Sequence, residues 1–126
     1  MKRILFAFCL TWVAAGTAAQ GSDIRSRMSD CGAGERITVA YYAGGGLTAS
    51  GQRFDPHGLT AAHRTLPFGT RLLVINPRNG KSVTVTVNDR GPFVRGVTLD
   101  VSLGAATVIG IRGTGTVCMA KAGNAT

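Results

Sequence analysis

SVTVTVNDRGPF, Ser82 to Phe93, decides the fold of this chain. Its first half alternates. Val83, Val85 and Val87 fall on one face and Thr84 and Thr86 on the other, the period-two pattern of a strand with one buried face. Its second half sets Asp89 beside Arg90 and then turns the chain with Gly91-Pro92. Only six carboxylates occur in 126 residues. One placed at a strand end is therefore either a turn former, bonded to nearby backbone N–H groups, or a reagent. A carboxyl partly withdrawn from water keeps its proton longer, and that suits a general acid. Arg90 is either its ion-pair partner or a solvated charge.

Working upstream, Asn76-Pro77-Arg78-Asn79-Gly80 predicts a tight hairpin turn, since Asn-Gly accepts positive φ. The turn leads back to RLLVI, Arg71 to Ile75, a continuous apolar run suited to a strand buried on both faces. LTAAHR, Leu59 to Arg64, is Ala-rich and predicts one short helical turn. RITVAYY, Arg36 to Tyr42, predicts a strand that Ala43-Gly44-Gly45-Gly46 ends. Downstream, VTLDV, Val97 to Val101, predicts another strand. Ser102 caps a short helix through Ile109, Gly110 stops it, and Gly115 to Met119 forms a last strand. Short strands with Gly and Pro between them and one or two small helices predict a mainly β fold, a compact barrel.

The ends of the chain set its compartment. Met1-Lys2-Arg3, an apolar run from Ile4 to Ala15, and small residues through Ala19 have the layout of a cleavable secretory signal, residues 1–19. The apolar run is short of the ~20 residues that span a bilayer, so no stable membrane insertion is expected after cleavage. Cys9 sits inside that run, after Phe8, and reads as part of it. Residues 20–35 read as a polar lead-in, 36–121 as one barrel domain and 122–126 as a tail, in a monomeric periplasmic or secreted protein. Losing Lys2 and Arg3 takes the formal charge from +8 to +6. A basic exported protein is steered toward anionic surfaces such as the cell wall. The basic residues are scattered, so no nucleic-acid arm is expected. Cys31 and Cys118 remain after cleavage, and export permits a disulfide between them.

No nucleotide-binding loop, nucleophile elbow or metal-ligand spacing occurs, and no cofactor or metal is expected. The polar residues at strand and loop ends are Gln52, Asp55, His57, His63, Asp89, Arg90 and Asp100. His57 and Asp55 read as loop residues in FDPHG. A lone histidine such as His63 is more often structural than catalytic. Asp100 lies between Leu99 and Val101, so it is either buried with a partner or lines a cleft. Tyr41 and Tyr42 point to opposite faces of a strand, one to pack and one to stack on a sugar ring.

Together, TASGQRFDPHGLTAAHRTLPFGT, VINPRNGKSVTVTVNDRGPFVRG and LDVS strongly resemble the RlpA (rare lipoprotein A) family, over about Ile37 to Met119. The resemblance implies a six-stranded double-psi β-barrel, the fold of expansins and barwin. It implies an endolytic peptidoglycan lytic transglycosylase, cutting the MurNAc–GlcNAc bond of peptide-stripped strands to leave 1,6-anhydro-MurNAc ends. It implies Asp89 as the principal acid and His63 in the same cleft, and it matches Asp100 to an acid important in expansins; Gln52, Tyr42, Arg90 and Asp100 are the expected glycan-binding residues. SGQRF departs from the family, whose active members commonly carry Glu where Gln52 stands. Gln transfers no proton at neutral pH, so an expansin-like module that binds glycan or loosens the wall without cutting it is the second expectation. The family's lipid-anchoring Cys and appended glycan-targeting domain are not expected here.

Overall fold

A computed structural model describes residues 31–32 and 34–122. The expected signal sequence, most of the lead-in and residues 123–126 lie outside the described residues. Among the described residues, six strands and one helix follow in chain order: β1 (Glu35–Tyr42), β2 (Thr60–Ala62), β3 (Arg71–Ile75), β4 (Ser82–Asp89), β5 (Leu99–Ser102), α1 (Leu103–Ile109) and β6 (Gly115–Lys121). The strands close into a barrel in the order β1-β5-β2-β4-β3-β6. Closure leaves no strand edge unpaired. β1 runs parallel to β5 and β2 parallel to β4, and the other four pairings are antiparallel.

The alternation of β4 fills the barrel. Val83, Val85 and Val87 are buried and join Val39, Leu72, Val74, Leu99, Val101 and Val117 in one core. The Asn-Gly turn joins β3 to β4 as expected, with Gly80 at φ 73° and the Asn76 N–H bonded to the Lys81 carbonyl at 2.8 Å. Ser102 caps α1 by accepting the Ala105 N–H at 3.2 Å, and Gly110, at φ 71°, ends it in the left-handed conformation. Ser102 is fully buried, and its hydroxyl also donates to the Gly58 carbonyl, tying the start of α1 to the loop before β2. The Cys31–Cys118 disulfide is present.

Three expectations need correction. Leu59 to Arg64 holds no helical turn, because Thr60–Ala62 is the strand between β4 and β5. Alanine's helix propensity is a weak preference, and a six-residue stretch is too short to form a helix on its own. Two strand ladders outweigh it, and the small Ala61, fully buried, suits a tight barrel. Arg71–Ile75 is not buried on both faces: Leu72 and Val74 point inward, while Leu73 and Ile75 are half-buried outside. Finally, β5 begins at Leu99, since Val97 closes a turn onto the Val94 carbonyl.

Candidate active site

One register shift aims the carboxylate of Asp89. On β4, strict alternation from Val87 would turn Asn88 outward and Asp89 back into the core. The β2–β4 pairing runs Thr60 with Thr86 and Ala61 with Val87, then skips Asn88 and pairs Ala62 with Asp89. A bulge of this kind re-aims side chains. Ala61 faces the core with Val87, so Ala62 and Asp89 face outward. β5 delivers the second carboxylate to the same side. Ala62 also pairs with Asp100, whose neighbours Leu99 and Val101 are the buried ones. Asp89 and Asp100 thus flank Ala62 from either side, two strand spacings or roughly 10 Å apart at Cα. Ala62 has only a methyl group to place between them.

Tyr42 completes this outer face from the end of β1, where it pairs with Ser102. Its phenol pKa is pushed up to about 12, first by burial and then by the charges of Asp89 and Asp100. The Tyr42 hydroxyl and Thr60 Oγ1 lie close enough to interact, yet neither meets hydrogen-bond geometry. Asp100 Oδ1 is likewise buried without a partner. Two hydroxyls and a carboxylate oxygen thus lie buried together beneath this face, an unusual concentration of polar atoms without hydrogen bonds.

Asp89 is held more tightly. Its Oδ1 accepts the Ala49 N–H and the Arg90 N–H, each at 2.8 Å. Its turn-forming and chemical readings are therefore compatible, because one oxygen anchors the turn and Oδ2 makes no hydrogen bond among the described residues. The Ala49 contact belongs to a loop, pinned by the Leu47–Arg53 bridge, that leans on the end of β4. Ser50 N–H bonds the Asn88 carbonyl at 3.2 Å, and Asn88 Nδ2 donates to Gln52 Oε1 at 3.1 Å. Gln52 thus sits one residue's reach from Asp89.

The other expected residues stand differently. The Arg90 guanidinium forms no ion pair with Asp89. It donates to the Leu66 and His63 carbonyls at 2.7 and 3.1 Å and lies 4.0 Å over the Phe68 ring. Tyr42 stacks on Phe54 with centroids 4.6 Å apart, so one ring face is occupied, and its hydroxyl is buried. Neither tyrosine packs in the core, and Tyr41 is the more exposed. Asp55 accepts the His57 N–H at 2.9 Å, shaping its turn as expected. His63 touches the site through its backbone, its N–H bonding the Asp89 carbonyl at 3.2 Å. Its ring is not brought beside the carboxylates. Nδ1 accepts the Thr65 and Leu66 N–H groups, both at 3.1 Å, and the ring borders a separate cavity with Glu35, Leu72, Met119 and Lys121. Burial, then the charges of Arg64 and Arg90, lower the His63 pKa. Those two N–H bonds require the neutral ring with its proton on Nε2. Among the described residues, no three of His, Cys, Asp and Glu gather as metal ligands, and no helix is long and apolar enough to cross a membrane.

Thr60, Phe54 and Ala49 were not singled out from sequence. Ala49 acts through a backbone N–H, which leaves no residue-type signal. Thr60 and Phe54 acquire their roles only when β2 pairs with β4 and the loop folds over Tyr42.

Burial, followed by the charge of Asp89, raises the Asp100 pKa above its ordinary 3.8. A raised folded-state pKa means that folding favours the protonated form. This contribution is complete below pH 3.8 and is lost as pH rises through the raised value. Asp100→Asn removes the penalty of a buried charge at neutral pH. The variant should melt a few degrees above the parent at pH 7, with the difference closing as pH falls toward 3.8. A variant that melts lower at pH 7, measured by calorimetry across that range, would contradict this account of Asp100.

Residues 35–120 match the lytic transglycolase family. A Nostoc sp. protein named "Probable endolytic peptidoglycan transglycosylase RlpA" is 62% identical over 68 residues, covering 54% of this chain and 18% of that protein. The endolytic peptidoglycan transglycosylase RlpA of Pseudomonas aeruginosa is 44% identical over 93 residues, covering 71% of this chain and 27% of that protein. The matched segment thus spans about a fifth to a quarter of the length of these relatives. Among solved structures, an expansin from Clavibacter michiganensis superposes with a TM-score of 0.61 at 19% identity, covering 74% of this chain and 52% of that one. That likeness shows the fold, a double-psi β-barrel.

Proposed function

This chain belongs to the lytic transglycolase family, and on that premise we propose that it is an exported enzyme of the bacterial wall that cleaves the MurNAc–GlcNAc bond of peptidoglycan. The observation that carries the proposal is the outward aim of Asp89 beside Asp100, with one Asp89 oxygen anchored and the other open. A hydrolase uses two carboxylates, one of them to activate water or form a covalent intermediate. A lytic transglycosylase needs no water. A carboxylic acid protonates the glycosidic oxygen as the C1–O bond breaks. The 6-hydroxyl of the same MurNAc closes on C1, and a carboxylate takes its proton, leaving a 1,6-anhydro end. The substrate is glycan stripped of its stem peptides, which fits an open face of sheet.

Asp89 is assigned both proton transfers. The raised pKa of Asp100 favours one variation, in which Asp100 gives the first proton and Asp89 removes the second. The two schemes separate in pH–rate profiles, since Asp100→Asn removes the upper limb only in the second. Gln52 and Tyr42 would contact the sugar. Arg90 and His63 act behind the strand ends, holding the His63–Leu66 loop and β2 against β4.

Gln52 favours a second reading, a barrel that grips glycan without cutting it. Its amide accepts a hydrogen bond from Asn88 and carries no titratable proton. Gln52→Glu keeps that acceptor and adds a carboxyl. If the native protein is a slow enzyme, the variant should release anhydro products about tenfold faster or more from amidase-treated sacculi. Product from the variant alone would establish the binding reading for the native chain. Equal rates would show that Gln52 holds the loop and takes no part in proton transfer.

A further inference from the structure

We propose that the cavity between the β3–β4 hairpin and the Gly110–Gly115 loop is an anion site, taking a phosphate or carboxylate oxyanion and separate from the Asp89 groove. The cavity measures about 430 Å³, and its walls include Thr38, Asn76, Arg78, Arg112, Thr114 and Thr116. Asn76 and Arg78 lead into β4 and Asp89 ends it. An eight-residue strand, ~25 Å at ~3.3 Å per residue, therefore lies between the two sites.

The frame is built in advance. Asn76 is 3% exposed. Its Nδ2 donates to the Ile109 carbonyl at 2.8 Å, and its Oδ1 accepts the Arg78 N–H at 3.1 Å. Asn79 Nδ2 reaches the same Ile109 carbonyl at 3.1 Å. The hairpin is thereby clamped to the end of α1, with Arg78 at the rim. Glycine permits the closure at two positions. A Cβ on Gly110 would lie 2.9 Å from Asn79 Nδ2, and one on Gly115 would lie 2.7 Å from Ile111 Cδ1.

The charge in this frame is unbalanced. No carboxylate lines the cavity. Neither the Arg78 nor the Arg112 guanidinium has a hydrogen-bond or ion-pair partner among the described residues, and the same holds for the Thr38, Thr114 and Thr116 hydroxyls. Two like charges at one cavity repel each other. An oxyanion between them replaces that repulsion with charge-assisted hydrogen bonds, the contact guanidinium geometry favours. Hydrogen bonds blunt the negative end of α1 that borders the cavity. Its Ile109 carbonyl is covered by the two asparagine amides, and Ala106 and Thr107 carbonyls accept from Gly110 and Ile111. A volume in the ~300–1,000 Å³ range of small-molecule sites admits the oxyanion with a sugar- or glycerol-sized body attached.

The test is a titration of the ¹⁵N-labelled protein, followed by amide chemical shifts, with N-acetylmuramic acid as the carboxylate probe and glycerol phosphate as the phosphate probe. Neutral N-acetylglucosamine and sodium chloride at matched ionic strength are the controls. Saturable shifts centred on Arg78 and Arg112 to Thr116 with either acidic probe support the site, and the stronger probe identifies the source. The exposed pair Arg78→Ala/Arg112→Ala should weaken that binding at least tenfold, and Asp89→Asn should leave it unchanged. Shifts that chloride or N-acetylglucosamine reproduce, or affinity that survives the double substitution, would overturn the proposal. Its failure would leave the Asp89 chemistry untouched, because no probe needs to be cut.

Discussion

Asp89→Asn is expected to lower anhydro-product release by a factor of about 10²–10⁴, the range for loss of a general acid or base, while leaving the barrel and its glycan binding in place. The structure explains why the loss should be confined to chemistry. The anchored oxygen of Asp89 only accepts, from Ala49 and Arg90 N–H groups. Asn supplies a carbonyl oxygen to the same two donors, so the loop and the turn keep their bonds. What disappears is a titratable proton. Calorimetry should show a melting temperature within a degree or two of the parent, and sedimentation with sacculi should show unchanged binding. A variant that still releases product at the parent rate would remove Asp89 from the mechanism. Unfolding of the variant would instead make its carboxylate structural.

Opening the Cys31–Cys118 disulfide should have the largest effect on stability. The bridge spans 87 residues of sequence and fixes the chain ahead of β1 onto β6, with Cα atoms 5.2 Å apart. Cys118 is buried and pairs in register with Arg36 on one side and Ile75 on the other. A link across so long a loop contributes roughly 2–5 kcal/mol by restricting the unfolded chain. At ~4 °C per kcal/mol for a domain of about 100 residues, reduction or the Cys31→Ser/Cys118→Ser pair should lower Tm by about 8–20 °C. The register of β2 with β4 and β5 lies across the barrel from the bridge, so the site should keep its activity at temperatures where the reduced protein remains folded. A Tm shift under ~2 °C would mean that the six-strand closure holds the lead segment without the bridge.

Much of the frame was legible because it rests on local pattern. The valines of β4 alternate, Asn79-Gly80 supplies the positive φ of the hairpin, and Ser102 and Gly110 bracket α1. Asp89 was also legible as a candidate for chemistry. Its aim was not. Alternation alone points it into the core, and only the skipped Asn88 in the β2–β4 register turns it toward Asp100. That register depends on β2, a three-residue strand whose alanines suggest helix in isolation and whose pairing comes from residues far away in sequence. His63 shows the same limit. Its nearness to Asp89 in the backbone is real, but the residue after an outward Ala62 turns its ring the other way, toward Glu35 and Met119. Arg90 next to Asp89 read as either an ion-pair partner or a solvated charge. Its guanidinium is instead spent on carbonyls of the His63–Leu66 loop, which no spacing rule would identify.

The most direct test of the central claim is mass spectrometry of the material released from sacculi, intact and amidase-stripped, by the native protein. The account predicts muropeptide-free glycan fragments ending in 1,6-anhydro-MurNAc, formed chiefly from the stripped sacculi and missing when Asp89→Asn replaces the native chain. Reducing-end MurNAc in their place would make the enzyme a hydrolase, and no release from either substrate with binding retained would make the outward pair of carboxylates a grip on glycan.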